Sequence, residues 1–224
     1  MIYFKPFMTK LRPAFTMIEL LFVIIVIGIL ASMAIPRIDR DLRQEAGDNI
    51  LSAIRYTQSL ALNDDKTNPF DTNWQQKFWM IRFTGGENAF YTVSSDTNKN
   101  GAVNKIECAI DPINGKYMYN SSGAFSSIAN DESANVFLGH KYGIDSVTAG
   151  GSCSAQHIAF DQLGRTHSGL ITTASGTPAG NDYATYLNSD CTMTFGFIDD
   201  SIDDLVITIS KETGYASIVG QPDS

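Results

Sequence analysis

The chain has 224 residues, and 43% of them are hydrophobic, which suits one folded domain with an extension. It carries 16 basic residues against 24 acidic ones, and no cluster of Lys or Arg follows residue 43. Direct binding of nucleic acid by the distal part is therefore not expected, because phosphate groups need concentrated positive charge. The three cysteines form no Cys-x-x-Cys pair and have no metal-ligand spacing with the three histidines, which argues against a structural zinc site.

A long apolar run near the N terminus predicts a membrane-spanning helix. Between residues 15 and 35, the large apolar residues and Ala are interrupted only by Thr16, Glu19, Gly28 and Ser32. A helix of about twenty residues rises about 30 Å, which is the thickness of the hydrocarbon core of a bilayer. The alternative is a secretory signal peptide cut after Ala34, but the apolar region of a signal peptide is normally shorter. Charge counting leaves the orientation open, because basic residues flank the run on both sides.

Glu19 is the residue that distinguishes these alternatives. A carboxylate in a membrane helix costs about 2.5–3.5 kcal/mol near the centre, less near an end, and persists when it has a partner. A free α-amino group would be such a partner, and a cut just ahead of Phe15 would create one. The removable signal peptide leaves Glu19 unexplained.

The stretch LRPA followed by FTMIELLFVIIVIGILASMAIP (residues 11–36) resembles the N-terminal motif of type IV prepilins and type II secretion pseudopilins. The resemblance implies that a prepilin peptidase cuts between Ala14 and Phe15 and methylates the new amine of Phe15. Glu19 then becomes the fifth mature residue and Pro36 the twenty-second, as in the family, although the family usually has Gly where this chain has Ala14. In a filament, the Glu19 carboxylate of one subunit would neutralise the Phe15 amine of a neighbour and set the axial register.

The resemblance also implies a domain organisation and a location. Residues 1–14 would be a leader that is removed, 15–36 the transmembrane part of a long helix, 37–63 its amphipathic continuation, and 64–224 a β-rich periplasmic head. The chain would cross the inner membrane of a Gram-negative cell once, with its N terminus in the cytoplasm. Its partners would be other pseudopilins or pilins in a filament, the prepilin peptidase, the inner-membrane assembly platform and, indirectly, an outer-membrane secretin.

Beyond Pro36, apolar residues at i+4 spacing predict that the helix continues to about Asn63, where NDDKTNP supplies polar and Pro stop signals. Pro36 and Gly47 are expected to kink or loosen it. The predicted buried face consists of Ile38, Leu42, Ala46, Ile50 and Ile54, with Ala53, Leu60 and Ala61 beside them.

The remainder of the chain predicts an antiparallel sheet. The runs WQQKFWMIRF (74–83) and AFYTVSS (89–95) are separated by a Gly-Gly turn and predict a hairpin. Four more strands are predicted at 157–161, 191–198, 204–210 and 215–220, whereas the Ser/Gly/Asn/Thr-rich segments 120–135 and 172–190 predict loops. The fold class is therefore α+β, with the long N-terminal helix packed on an antiparallel sheet as in the pilin-like fold. The segment HIAFDQLGRTHSG and the strands that follow it resemble those of H-type minor pseudopilins.

The segment DTNKNGAVNKIE (96–107) fits the calcium-loop pattern D-x-[DN]-x-[DN]-G-x5-E. The pattern predicts weak calcium binding, because only two of its ligands carry a formal charge, and the alternative is a turn without an ion. The predicted ligands are the side chains of Asp96, Asn98, Asn100 and Glu107, the carbonyl of Ala102 and a water-bridged contact from Asn104.

Cysteine usage and the missing catalytic motifs complete the prediction. Cys153 and Cys191 lie near or in predicted strands, and an oxidising compartment would favour a disulfide between them, leaving Cys108 as a buried thiol. The chain has no G-x-S-x-G, H-E-x-x-H or phosphate-loop motif, and His157 and His167 near Asp161 are interpreted as ordinary histidines rather than a catalytic site.

These observations predict a protein that is not an enzyme and that requires no cofactor, with Ca²⁺ as the one structural ion suggested. Its predicted function is that of a minor pseudopilin in a type II secretion pseudopilus, assembled by helix packing and by Glu19 pairing. The alternative is a minor or major type IV pilin or a competence pseudopilin, acting in DNA uptake, adhesion or motility, because the N-terminal motif is common to all of them. A membrane-tethered calcium-dependent binding protein is a further alternative.

Overall fold

A computed structural model describes residues 16–71, 74–153, 156–170 and 185–221, without the side chains of residues 32–41. The chain divides into two compact units, residues 1–40 and 41–224. The described residues combine a long helix with antiparallel sheets, which confirms the predicted α+β class. The predicted leader, 1–14, and the predicted cleavage site between Ala14 and Phe15 lie outside the described residues.

Helix α1 comprises Met17–Asn63 and ends at the residue where its end is predicted. It continues through Pro36 and Gly47, so neither residue terminates it. Within the described ranges, no helix contains a stretch that is long and apolar enough to cross a membrane.

In the described residues, eight strands form two four-stranded antiparallel sheets. The first sheet has the order β2-β1-β4-β5, with β1 at Trp79–Thr84, β2 at Phe90–Ser94, β4 at His157–Phe160 and β5 at Thr166–His167. The second has the order β3-β6-β7-β8, with β3 at Ile144–Gly151, β6 at Cys191–Phe197, β7 at Leu205–Ile209 and β8 at Ala216–Ile218. A short helix α2 (Leu138–Tyr142) precedes β3, and 3-10 turns occupy Trp74–Lys77, Lys105–Glu107, Phe125–Ser127 and Ala134–Val136.

The predicted hairpin is present, with Arg82 opposite Thr92 and Thr84 opposite Phe90. Its first strand is shorter than predicted, because Trp74–Lys77 forms a 3-10 turn and the strand begins at Trp79. The four later predicted strands correspond to β4, β6, β7 and β8.

The distal part of α1 packs into an apolar core that includes residues of both sheets. Ala46, Ile50, Ala53, Ile54 and Ala61 are buried as predicted, whereas Leu42 and Leu60 are half-buried and the side chain of Ile38 is outside the description. Leu51 and Thr57 are also buried, and the Thr57 hydroxyl donates to the Ala53 carbonyl, which satisfies it inside the helix.

Gly47 has a packing role that differs from the predicted loosening of the helix. A Cβ atom added at this position would lie 2.7 Å from Cδ1 of Ile218 in β8 and 3.4 Å from Cδ1 of Leu205 in β7. The glycine therefore allows α1 to approach the second sheet closely. Helix α1 continues through Gly47, and the contacts of Gly47 with Ile218 and Leu205 give a reason for the glycine other than a kink.

Candidate functional sites

The start of α1 carries a capping box that joins Thr16 to Glu19. Oε2 of Glu19 accepts hydrogen bonds from the backbone N–H and from the hydroxyl of Thr16, both at 3.1 Å. In return, the backbone N–H of Glu19 donates to Oγ1 of Thr16 at 3.3 Å. This reciprocal arrangement satisfies N–H groups that a helix start leaves without intrahelical partners. The role of Thr16 is not among the predictions from the sequence, although the spacing Thr-x-x-Glu is the usual indication of a capping box.

The residues that follow form an apolar helical surface. All the large apolar residues between 17 and 30 are exposed, from 38% at Val26 to 93% at Met17. A helix that is apolar on every side is stable only when lipid or other protein covers it. Two parts of the predicted span lie outside this observation: Phe15, and the side chains of residues 32–35.

The candidate calcium loop is closed by its own hydrogen bonds. Oε1 of Glu107 accepts from the backbone and the hydroxyl of Thr97 and from the backbone of Asn98, at 2.9–3.2 Å. Oε2 accepts from the backbone and the side-chain amide of Asn104 at 3.1 and 3.2 Å. Burial raises the pKa of Glu107, but these hydrogen bonds outweigh it and lower the pKa below its ordinary value. The carboxylate is therefore ionised and fully engaged with the chain.

The other end of the loop has the turn that the calcium pattern requires. Gly101 has φ 75° and Lys99 has φ 58°, and the Asp96 carboxylate accepts from the backbone of Asn100 and Gly101 at 3.3 and 2.8 Å. The side-chain oxygen of Asn98 also accepts from the backbone of Asn100.

The two carboxylates of the loop thus bind backbone N–H groups of the same turn. Glu107 binds those of residues 97 and 98, and Asp96 binds those of residues 100 and 101. Asn100 accepts from the backbone N–H of Ala102 at 2.8 Å, so it too is engaged within the loop. In the described part of the chain, no three His, Cys, Asp or Glu residues gather as a metal site would need. A calcium ion would have to take the carboxylate oxygens away from these N–H groups, and calcium binding stays a prediction.

A second buried carboxylate, Asp161, lies between β4 and β5. Its Oδ1 accepts from the backbone of Leu163 and Arg165, and its Oδ2 accepts from Nε of Arg165 at 2.7 Å and lies 3.5 Å from Nε2 of His167. Burial raises the pKa of Asp161, but the nearby Nε2 of His167 and the hydrogen bonds from Arg165 and the backbone outweigh it and lower the pKa to about 2. These contacts stabilise the turn that connects the two strands.

The two histidines of this region have separate partners. Burial, together with the positive charge of Arg82, lowers the pKa of His157 to about 4, and its Nε2 accepts from the backbone N–H of Gly169 at 3.0 Å. His167 is buried and its Nδ1 lies 3.0 Å from the hydroxyl of Thr185. Both rings are thus held within the core by polar contacts.

Cys153 and Cys191 are joined by a disulfide, with their Cα atoms 5.1 Å apart. Cys153 follows β3 by two residues, and Cys191 pairs with Gly151 at the end of the β3–β6 ladder. The bridge therefore closes the end of one strand pair. Cys108 is a buried thiol, and burial, with the charges of Glu107 and Glu132, raises its pKa to about 12.

The candidate calcium loop can be tested by thermal melting of the full chain with calcium and with a chelator. Binding to the folded state must stabilise it, by about 1.4 kcal/mol when free calcium is ten times the dissociation constant. Glu107→Gln should abolish the increase in melting temperature, whereas Asp199→Asn, which removes an exposed carboxylate outside the loop, should retain it. A wild-type protein that melts at the same temperature in both conditions has no calcium site.

The pKa values of His157 and Asp161 predict two separate steps of acid destabilisation. The unfolded chain takes up a proton at His157 below pH 6.5 while the folded chain does so only below about 4, so stability should fall by roughly 3 kcal/mol across this window. The folded carboxyl of Asp161 takes up its proton at about 2 against 3.8 for an ordinary Asp, so a further roughly 2 kcal/mol should be lost as the pH falls through that lower window.

The measurement is urea denaturation at a series of pH values, followed by the fluorescence of Trp74 and Trp79. His157→Gln should remove the upper step, and Asp161→Asn should reduce the lower step by the share that Asp161 contributes, while Glu107, whose pKa is also lowered, retains its own share. His140→Gln, at an exposed histidine, is the matched control and should leave both steps in place. An upper step that persists unchanged in His157→Gln contradicts the assignment.

No protein-family model, no curated protein and no solved structure matches this chain. Any function assigned to it therefore depends on its own residues and their contacts.

Proposed function

We propose that the chain is a structural subunit of a pilin-like filament, and specifically a minor pseudopilin of a type II secretion pseudopilus. The observation that carries the proposal is the apolar surface of residues 17–30, which is exposed on every side of the helix and follows a segment that resembles a prepilin leader. Such a surface is stable only under an apolar cover. A bilayer supplies that cover before assembly, and the helices of other subunits supply it in a filament.

The two ends of the described helix have the properties that this role needs. The N-terminal part presents large apolar residues at every angle, whereas the distal part from Ala46 to Ala61 has one buried face and one polar face. The first part suits a membrane and a filament core, and the second suits attachment of a folded head. The α+β class of the chain is compatible with a pilin-like fold, in which a long helix carries an antiparallel sheet.

Glu19 is proposed to act as the register device of the filament. Its two hydrogen bonds with Thr16 use Oε2, and neither of them uses Oε1. Cleavage before Phe15 would create an α-amine whose positive charge in an apolar setting favours a carboxylate partner. The carboxylate can therefore keep the capping box and also pair with the amine of a neighbouring subunit.

The disulfide and the charge of the head support a position outside the inner membrane. Disulfides persist in oxidising compartments such as the bacterial periplasm. The head is acidic overall, which favours neither direct capture of DNA nor adhesion to an anionic surface. Secretion is therefore proposed in preference to DNA uptake.

The primary test is mass spectrometry of the mature protein, made in cells that contain the cognate prepilin peptidase. The expected N terminus is a methylated Phe15, because the peptidase would cut after Ala14. The control is the same chain expressed in cells without the peptidase, which should retain residues 1–14. Retention of the leader in both strains, or a cut after Ala34, contradicts the proposal.

The role of Glu19 can be separated from helix capping by two variants. Glu19→Gln keeps an acceptor at the position that a capping box uses but removes the charge, whereas Thr16→Val removes the cap but keeps the charge. If the charge sets the register, Glu19→Gln should reduce incorporation into filaments about tenfold or more, since charge-assisted hydrogen bonds contribute about 1.5–3 kcal/mol. Thr16→Val should assemble nearly as well as the wild type.

Incorporation can be measured by cross-linking of subunits in membranes, with the amount of membrane-inserted protein as the reference. Equal incorporation of Glu19→Gln and wild type would show that the charge is dispensable. A severe defect in Thr16→Val with a normal Glu19→Gln would assign the acid to capping alone.

A further inference from the structure

A cleft of about 240 Å³ lies on the first sheet, and the predicted function does not use it. Phe83 and Tyr91 contribute to the core that contains α1, so the alternating residues of the same strands face the other way. Seven residues line the cleft: Arg82, Thr84, Phe90, Thr92, Val103, Tyr119 and Asn120. Four of them belong to the β1–β2 hairpin, and Val103 belongs to the candidate calcium loop.

The cleft is rich in donors and contains no carboxylate. Arg82 lies directly opposite Thr92 in the ladder, and no hydrogen bond or ion pair engages its guanidinium in the described part of the chain. Arg82 is therefore an unpaired positive charge in a chain that has more acidic than basic residues. A guanidinium presents parallel N–H groups that match a carboxylate in a bidentate geometry.

Two polar residues of the cleft are more than nine-tenths buried, Thr92 at 6% and Asn120 at 7% exposure. Oδ1 of Asn120 accepts three hydrogen bonds, from the backbone and hydroxyl of Ser122 and from the backbone of Gly123. Its Nδ2 is buried and has no partner among the described residues. A buried donor without a partner is unfavourable, and ligand sites are a setting where such donors occur.

The number of positive charges in the cleft favours a carboxylate ligand over a phosphate. A phosphate group is usually bound by several cations or by a helix N terminus, whereas this cleft offers a single cation. His157, directly opposite Arg82 on β4, is buried with a pKa of about 4 and adds no second positive charge at neutral pH. Phe90 and Tyr119 supply aromatic faces beside the donors, which suit a ring-shaped body.

We propose that this cleft binds a small carboxylate with a ring-shaped body, through a bidentate contact from Arg82 and further donors from Thr84, Thr92 and Asn120. The ring lies against Phe90 and Tyr119, and it is either an arene or a sugar. This site is independent of filament assembly, because it uses only head residues on the sheet face turned away from α1.

The test is ligand-observed NMR titration of the full chain in detergent micelles. The probes are benzoate with its neutral counterpart benzamide, and galacturonate with its neutral counterpart galactose, and empty micelles give the background. At least one acid should bind saturably. The affinity of its neutral counterpart should be lower by a factor of about ten or more, because only the acid accepts charge-assisted hydrogen bonds. The acid that binds identifies the ring as an arene or a sugar.

Arg82→Gln should weaken binding of the acid about tenfold or more, and Arg82→Lys should weaken it less, since Lys keeps the charge without the bidentate geometry. Thr92→Val tests a second donor with a residue that suits a strand. Lys116→Gln removes a charge from an exposed site outside the cleft and should leave binding unchanged. Melting curves of each variant verify folding. Saturable binding of neither acid, equal binding of acid and neutral counterpart, or unchanged binding in Arg82→Gln overturns the proposal.

Discussion

The packing of the distal part of α1 into the core is the contact on which the head depends. The two sheets have separate ladders in the described part of the chain, and Ile50 and Ile54 of the helix are fully buried in the apolar core that both sheets contribute to. The side-chain amide of Gln58 donates to the carbonyls of Gly164 and Thr213, which lie in turns of different sheets. The helix is therefore a common partner of the two ladders. The sheets also contact each other directly, through the rings of Phe83 and Phe195 and through hydrogen bonds from Thr166 to the carbonyls of Ser210 and Lys211.

The buried acids of the head show how backbone N–H groups hold negative charges inside the fold. Glu107 and Asp161 are both ionised, and both bind backbone N–H groups of the turn in which they lie. Hydrogen bonds to the charged form lower the pKa of a carboxylate even when burial opposes this. Arg82 differs from them, because its charge lies beside hydroxyl and amide groups rather than beside a carboxylate. Arg82 is exposed to solvent, so its charge is accessible to a ligand.

The elements that could be predicted from the sequence are those with a clear local signal, such as a stop signal or a regular alternation of apolar and polar residues. The end of α1 at Asn63 follows from polar and Pro residues, and β6 and β7 alternate apolar and polar side chains. Strand β3 was missed because IDSVTAGG is small and polar, and it forms a strand by pairing with β6 over most of its length. The 3-10 turn at Trp74–Lys77 has residues that suit a strand, and tertiary contacts overrode that preference.

In the candidate sites too, contacts between residues at a known short spacing could be predicted, whereas contacts that form only after folding could not. The spacing in DTNKNGAVNKIE predicted which oxygens lie in the loop, but not that Glu107 would be saturated by its own chain, because five donors converge there only in the folded loop. Glu19 illustrates the opposite case, since Thr-x-x-Glu is a local pattern and its capping box forms as the spacing indicates. A capping box needs only a polar acceptor, and Gln would serve equally well. The charge of Glu19 is favourable in the first turn of α1, where the helix macrodipole is positive. The proposed pairing with a neighbouring amine would add a second partner, at the oxygen that the capping box does not use.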